Sequence, residues 1–300
     1  MIWELNSDGW ISVALADGPG HSAAMSTETR EGERDYVLGT HDEEIERLGL
    51  QHRVWRPHAS AAWRRAGFDV GHTLLDVGCG PGYASLDLAE IVGREGRVVA
   101  VDRSRRFLDT LEARARVRGI ENIETHERDL DEGRLPLVDA DGAWVRWVFS
   151  FVRRPRELVT AIQAALRPGA QLALHEYVHY KTWRIAPLCR EHEAFVQLVE
   201  ESWRDSGGEP DIGMSLPRWL ETQGFEIRHI APIVEVVRPG DYAWRWPMAF
   251  IGSGLKRLVA LGKLTRERGR EMEEKILAAC AEPHTCQVLP TVLEIVARRI

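Results

Sequence analysis

The chain has 300 residues, 44% hydrophobic and 28% charged, which is room for two ordinary domains or one enlarged α/β domain. No stretch approaches the ~18–20 uninterrupted apolar residues of a membrane helix, and 39 basic against 46 acidic side chains, net −7, argue against a polyanion as main partner. Four cysteines (Cys79, Cys189, Cys280, Cys286) are too few for a disulfide framework and point to a reducing, cytoplasmic compartment.

Residues 1–24 carry no basic start, and Asp17 interrupts their apolar run, so they read as an extension outside the fold, with a short ordered strand as the alternative. Residues 25–66 read as an N-terminal helical lid. Thr40 with Glu43 fits a capping box, Ile45, Leu48 and Trp55 recur at helical spacing, and Pro57 is expected to start a second helix that Gly67 ends. From there strands alternate with helices: strands at 73–77, 97–101, 120–126, 142–149 and 170–176, and helices at 81–91, 105–118 and 155–166. Gly93 and Gly119 stop the first two helices, Ser104 caps the second, and Arg167-Pro168-Gly169 stops the third. Strands separated by 10–15-residue helices mean βαβ units and a mainly parallel sheet. Beyond Glu176 the alternation breaks into a long helix at 183–206, a short one at 216–224 and a helical block at 241–281, with strands at 225–237 and 292–299. This is one α/β domain over 67–300, carrying helical cap insertions at about 180–221 and 241–285.

Asp76-Val77-Gly78-Cys79-Gly80-Pro81-Gly82 lies where a strand ends and a helix begins. Glycines there let a ligand approach the main chain, and the helix N-terminus adds donors. Asp102, twenty residues beyond Gly82, ends the next strand, where a carboxylate can accept from both hydroxyls of a ribose. Asp129 follows the third strand, in reach of an adenine amino group. The spacing is G-x-G-x-G with Tyr83 next, not the dinucleotide G-x-G-x-x-G, so the loop suits a nucleoside ligand without phosphates.

The succession LLDVGCGPG, VVAVD, RDL and LRPGAQLALHEY resembles the motifs of class I S-adenosylmethionine-dependent methyltransferases over at least residues 67–178. YVLGTHDEEIERLGLQ (36–51) and PTVLEIVARRI at the end resemble its small-molecule, ubiquinone-biosynthesis-methyltransferase-like group. The resemblance implies a Rossmann-like, seven-stranded, mainly parallel sheet with the last strand antiparallel. It implies S-adenosyl-L-methionine as cofactor and S-adenosyl-L-homocysteine as product. By the same resemblance Gly78 and Gly80 line the methionine part, with Asp76 at the loop's start, Asp102 holds the ribose and Arg103 flanks the adenosine. Asp129 and Leu130 contact adenine, Arg146 begins a run of main-chain contacts, and Tyr36 and Gln51 are candidates for the methionine carboxylate and amine. The fourth strand ends in Arg146-Trp147, without the Asn/Asp-Pro-Pro-Tyr signature of amine methylation.

His175-Glu176-Tyr177-Val178-His179 also matches the zinc-hydrolase pattern H-E-x-x-H, which needs both histidines on one face of a helix. Here a strand precedes it, so Glu176 is expected to point away from the histidines, and no metal site is assigned. At the mouth of the fifth strand, Glu176, Tyr177 and Tyr180, with Trp183, are candidate acceptor-pocket residues, and His179 or His175 a candidate base. The 11 Trp residues fall largely in the cap and lid and suit a flat or apolar small molecule. The expected partner is thus a small-molecule substrate, with no nucleic acid and no membrane insertion, and the chain a monomer or homodimer. A macromolecule-directed methyltransferase and a non-catalytic binder of the same nucleoside are the alternatives, and a zinc hydrolase the remote one.

Overall fold

The structure is a computed structural model that describes residues 3–5, 11–13 and 42–300. Tyr36 and the capping residue Thr40 lie outside the described residues. β1 (Trp3–Leu5) and β2 (Ile11–Val13) pair antiparallel. Of the expected lid, the described residues form one helix, α1 (Asp42–Arg65), with Pro57 inside it rather than at a break. Its buried positions, His52, Trp55, Ala59, Ala62 and Trp63, continue across the proline at helical spacing, so packing holds the axis where propensity alone would interrupt it.

β3 (Thr73–Val77), α2 (Tyr83–Val92), β4 (Arg97–Asp102), α3 (Arg105–Arg118) and β5 (Ile123–Glu127) follow, then β6 (Ala140–Arg146), α4 (Pro155–Ala165) and β7 (Leu166–Tyr177). Ser104 accepts from Phe107 N at 3.3 Å as the α3 cap, and Gly119 closes that helix in the left-handed conformation. β7 begins four residues earlier than expected and runs through Arg167-Pro168-Gly169, with a register shift against β6 that accommodates the extra residues. The remainder comprises β8 (Arg184–Ala186), α5 (Arg190–Asp205), α6 (Leu216–Thr222), β9 (Phe225–Ile233), β10 (Val236–Val237), α7 (Arg245–Ala260), α8 (Arg266–Ala281), β11 (Cys286–Val288) and β12 (Val292–Arg299).

Seven strands form one sheet in the order β5-β4-β3-β6-β7-β12-β9, with β12 antiparallel to both neighbours. Strand order reverses between β3 and β6, which opens a crevice at their carboxyl ends. The central strands are buried on both faces: Leu74 packs with Trp63 and Ala89, while Leu75 and Val77 pack with Leu158 and Ile162. A second sheet, β10-β11-β8, carries the cap and joins three distant stretches of chain.

α5, α7 and α8 enclose an aromatic core over that sheet, containing Trp183, Trp203, Trp244 and Trp246. His192 of α5 is fully buried there, edge-on to Trp183 at 4.8 Å, and neither ring nitrogen has a hydrogen-bond partner. Burial pulls its pKa down to about 3. A folded pKa below the unfolded value means that the unfolded chain binds the proton first, so this group's contribution is present above pH 6.5 and lost as pH falls towards 3. His192→Phe is expected to reduce acid sensitivity over that window, by up to roughly 1.4 kcal/mol per pH unit. Urea unfolding at pH 7.5 and 5 checks this, and equal acid losses in both proteins would refute it.

Candidate functional site

One cavity opens at the carboxyl ends of β3, β4, β5, β6 and β7 and is roofed by α1, α5 and α7. Asp76, Gly78, Gly80, Asp102, Arg103, Asp129, Leu130 and Arg146 border it from the sheet side, and Gln51 borders it from the lid. Tyr177 stands at its far end, beside Trp147 and Trp203.

The loop after β3 turns through three glycines at positive φ and delivers the chain into α2. Buried Asp102 holds this turn, accepting from Gly80 N and from Ser104 N, both at 2.9 Å. Burial raises its pKa, while the two amides oppose that shift. An added Cβ on Gly80 would meet nothing within 4 Å, so the loop borders open space at this point. Asp76 accepts from Ser85 Oγ at 2.6 Å, and burial raises its pKa to about 6. Asp129 accepts from Asp131 N at 3.0 Å, turning the chain after β5 beneath the cavity. Asp102 and Asp129 both border this one shared space.

The other end is aromatic. Trp147, held at φ 52°, stacks on Tyr177 at 5.2 Å and on Trp246 at 5.6 Å. A non-glycine residue in the left-handed region costs on the order of 1–2 kcal/mol, which the stacked neighbours and the bond from Trp147 N to His175 O offset. Trp203 and Phe250 bring α5 and α7 to the same space. Sequence reasoning missed Arg47 and Phe250 as lining residues, and reached Trp203 only as one of the cap tryptophans. Arg47 had a signal, since it lies four residues before Gln51 and so on the same helix face.

Several expected pocket residues are elsewhere. Glu176 is fully buried and accepts from Val148 N (2.6 Å), Phe149 N (2.7 Å) and Ser150 Oγ (2.8 Å), so it ties down the loop after β6 instead of facing the cavity. Burial raises its pKa to about 7. Tyr180 packs against Tyr177 and Trp203, and Trp183 donates to Gln287 Oε1 at 2.9 Å inside the cap; neither lines the cavity. His175, next to Glu176 on an extended strand, points to the opposite face, where its Nε2 meets Glu294 at 3.0 Å and burial lowers its pKa to about 4. His179 is exposed, at φ 59°. Among the described residues no histidine borders the cavity, so the described geometry assigns no histidine base. The H-E-x-x-H side chains therefore diverge, and among the described residues no group of three or more His, Cys, Asp or Glu side chains is placed to hold a metal ion. No described helix is long and apolar enough to cross a membrane.

Comparison with known proteins adds to this geometry. Residues 74–169 match the family model described as a methyltransferase domain. An uncharacterized 37.1 kDa protein of a Streptomyces fradiae transposon is 29% identical over 58% of this chain, and the chain spans about half (49%) of that protein. A 2-phytyl-1,4-naphtoquinone methyltransferase from Synechococcus elongatus is 28% identical over 60% of this chain and 74% of its own length. The fold is that of geranyl diphosphate C-methyltransferase from Streptomyces coelicolor, solved with S-adenosyl-L-homocysteine, at a TM-score of 0.52 and 17% identity over 87% of this chain and 86% of the other. The segment that supplies the glycine loop, both strand-end aspartates and Arg146 lies within the stretch that matches the methyltransferase-domain model.

Proposed function

We propose that this chain uses its methyltransferase domain to transfer a methyl group from S-adenosyl-L-methionine to a small-molecule acceptor. The observation that carries the reading is a single cavity with a glycine loop and two aspartates at one end and stacked aromatic side chains at the other. The residues fit the cofactor: Gly80 leaves the space that a side chain would fill, and Asp102 is held rigidly at the loop by two amides. Bound there, the cofactor supplies a methyl group already activated on a sulfonium. Asp102 then accepts from the ribose hydroxyls, Asp129 and Leu130 border the base, and Trp147, Tyr177 and Trp203 orient a flat or apolar acceptor. The chain's work is alignment, proximity and exclusion of water, which do not require a triad.

The roof of α1, α5 and α7 supports a small acceptor over a macromolecular one. The naphtoquinone named for the Synechococcus relative agrees with that class. Asp102→Ala is expected to weaken binding of S-adenosyl-L-homocysteine at least about 10-fold in calorimetry, as a buried charge-assisted pair is lost. Unchanged affinity would remove Asp102 from the site. Incubation with methyl-labelled cofactor and a panel of phenols, amines and isoprenoid-like acceptors tests transfer itself; binding without label transfer to any of them would favour a non-catalytic binder.

A further inference from the structure

Arg146 ends β6 one residue beyond Val145, which pairs with Val77, so it stands beside Gly78 at the crevice between the two strands. Arg146 borders the cavity, and its guanidinium lies 5.3 Å from the ring centroid of Trp147 and 5.9 Å from that of Trp144. Nη2 donates to His52 Nδ1 at 3.2 Å. A guanidinium only donates, so Nδ1 must be the acceptor and the imidazole proton must sit on Nε2. That Nε2–H donates to Asp87 Oδ2 at 3.0 Å, and Arg56 grips the same carboxylate through Nε and Nη2 at 2.6 and 3.1 Å. Asp87, His52 and Arg146 thus form a relay with every donor direction determined, anchored in α2 and α1 and ending in the cavity.

The other terminal nitrogen, Nη1, is buried and has no partner, and among the described residues no carboxylate comes within 4.0 Å of the Arg146 nitrogens. Burial lowers the Arg146 pKa to about 10, which still leaves it cationic at neutral pH. A buried cationic donor without an anion is costly, so the arrangement is complete only with one. Asp76, the nearest acid on the glycine loop, is turned to Ser85 instead. Two opposite charges that face one end of a cavity without pairing with each other are complementary to a zwitterion. Of the described lid residues that border the cavity, Arg47 is already engaged by Glu44 at 2.6 and 2.7 Å, and Gln51 Oε1 accepts from Trp246 Nε1 at 3.0 Å.

We propose that Arg146 is the receptor for the α-carboxylate of the cofactor's methionine moiety, and that His52, held by Asp87, is the residue that positions it. This rests on the cofactor reading above and moves the carboxylate contact from the lid to the end of β6. Arg146→Met is expected to weaken S-adenosyl-L-homocysteine by about 10- to 100-fold, the range of a charge-assisted bidentate contact. Binding of 5′-methylthioadenosine, which keeps the nucleoside and thioether but lacks the amino-acid end, should stay within about twofold, since no carboxylate is there to lose. His52→Leu should show a smaller loss of the same kind, and His52→Gln, which can still accept from Arg146 and donate to Asp87, should restore it. Calorimetry with both ligands reads all three variants, and Arg146→Lys, expected to lose part of the selectivity, serves if the methionine variant does not fold. Equal weakening of both ligands, or of neither, overturns the assignment while leaving the cofactor reading intact. A native chain that binds neither ligand overturns both.

Discussion

Glu176→Ala is expected to cost about 3–5 kcal/mol of stability, because it strips three buried donors of their acceptor at once. Val148 N, Phe149 N and Ser150 Oγ all point at this carboxylate within 2.8 Å, and Glu176 itself has no exposed surface. The loop it holds carries Trp147, Val148 and Phe151 on the cavity wall, so the same change should loosen the acceptor end. Burial also sets a pH signature. The folded pKa of about 7 lies above the 4.5 of an ordinary glutamate, so the native state binds the proton more tightly than the unfolded chain. This group's contribution is therefore fullest below pH 4.5 and declines as pH rises through 7. Glu176→Gln abolishes that decline and is milder than alanine, since its carbonyl still accepts from the two amides and the Ser150 hydroxyl can turn to accept from its amino group. Urea unfolding of all three proteins at pH 5 and 8 measures both effects. An alanine variant within about 1 kcal/mol of the parent would mean that the three donors find other partners.

Gly82→Ala and Gly80→Ala are expected to fail in opposite ways, although only Pro81 separates them in one motif. A Cβ on Gly82 would stand 2.3 Å from Leu111 Cδ1, 2.6 Å from its Cγ and 2.7 Å from its Cβ, at φ +76°. Leu111 is fully buried on α3 and has nowhere to go. Overpacking and left-handed strain together are expected to cost about 3 kcal/mol or more. The alanine at 80 meets no protein atom and carries only the strain of φ +54°, on the order of 1–2 kcal/mol. Its methyl instead enters the open space beside the loop, where the proposed cofactor would lie. Thermal melting should thus single out Gly82→Ala, and calorimetry with S-adenosyl-L-homocysteine should single out Gly80→Ala. If both variants melt normally and both lose the ligand, Gly82 belongs to the site and not to the α2–α3 packing.

Alternating strands and helices, Ser104 as a cap and the glycine stops are local features, set by short-range hydrogen bonds and backbone freedom. They placed Asp76, Asp102, Asp129 and Arg146 at successive strand ends, and the structure brings all four to one cavity. Pro57 misled because its local cost is outweighed by the buried face on either side of it. The β8–β10–β11 sheet was invisible because strands of two or three residues have no measurable period, and their partners lie far away in the chain. The Trp surplus was legible as an aromatic cap, yet most of these rings fill the helix packing, and among the described residues only Trp144, Trp147 and Trp203 border the cavity.

What the amino-acid sequence determined by itself was the parallel sheet, the glycine loop at the end of its first strand and the two strand-end aspartates, because periodicity and turn chemistry act within a few residues of their cause. Which way Glu176 and His175 face, which ring of the cap meets the cavity, and that Arg146 is aimed by His52 were decided only by the tertiary structure. A strand has two faces and a guanidinium several partners, and the choice among them is made by long-range packing and by hydrogen bonds to residues dozens of positions away.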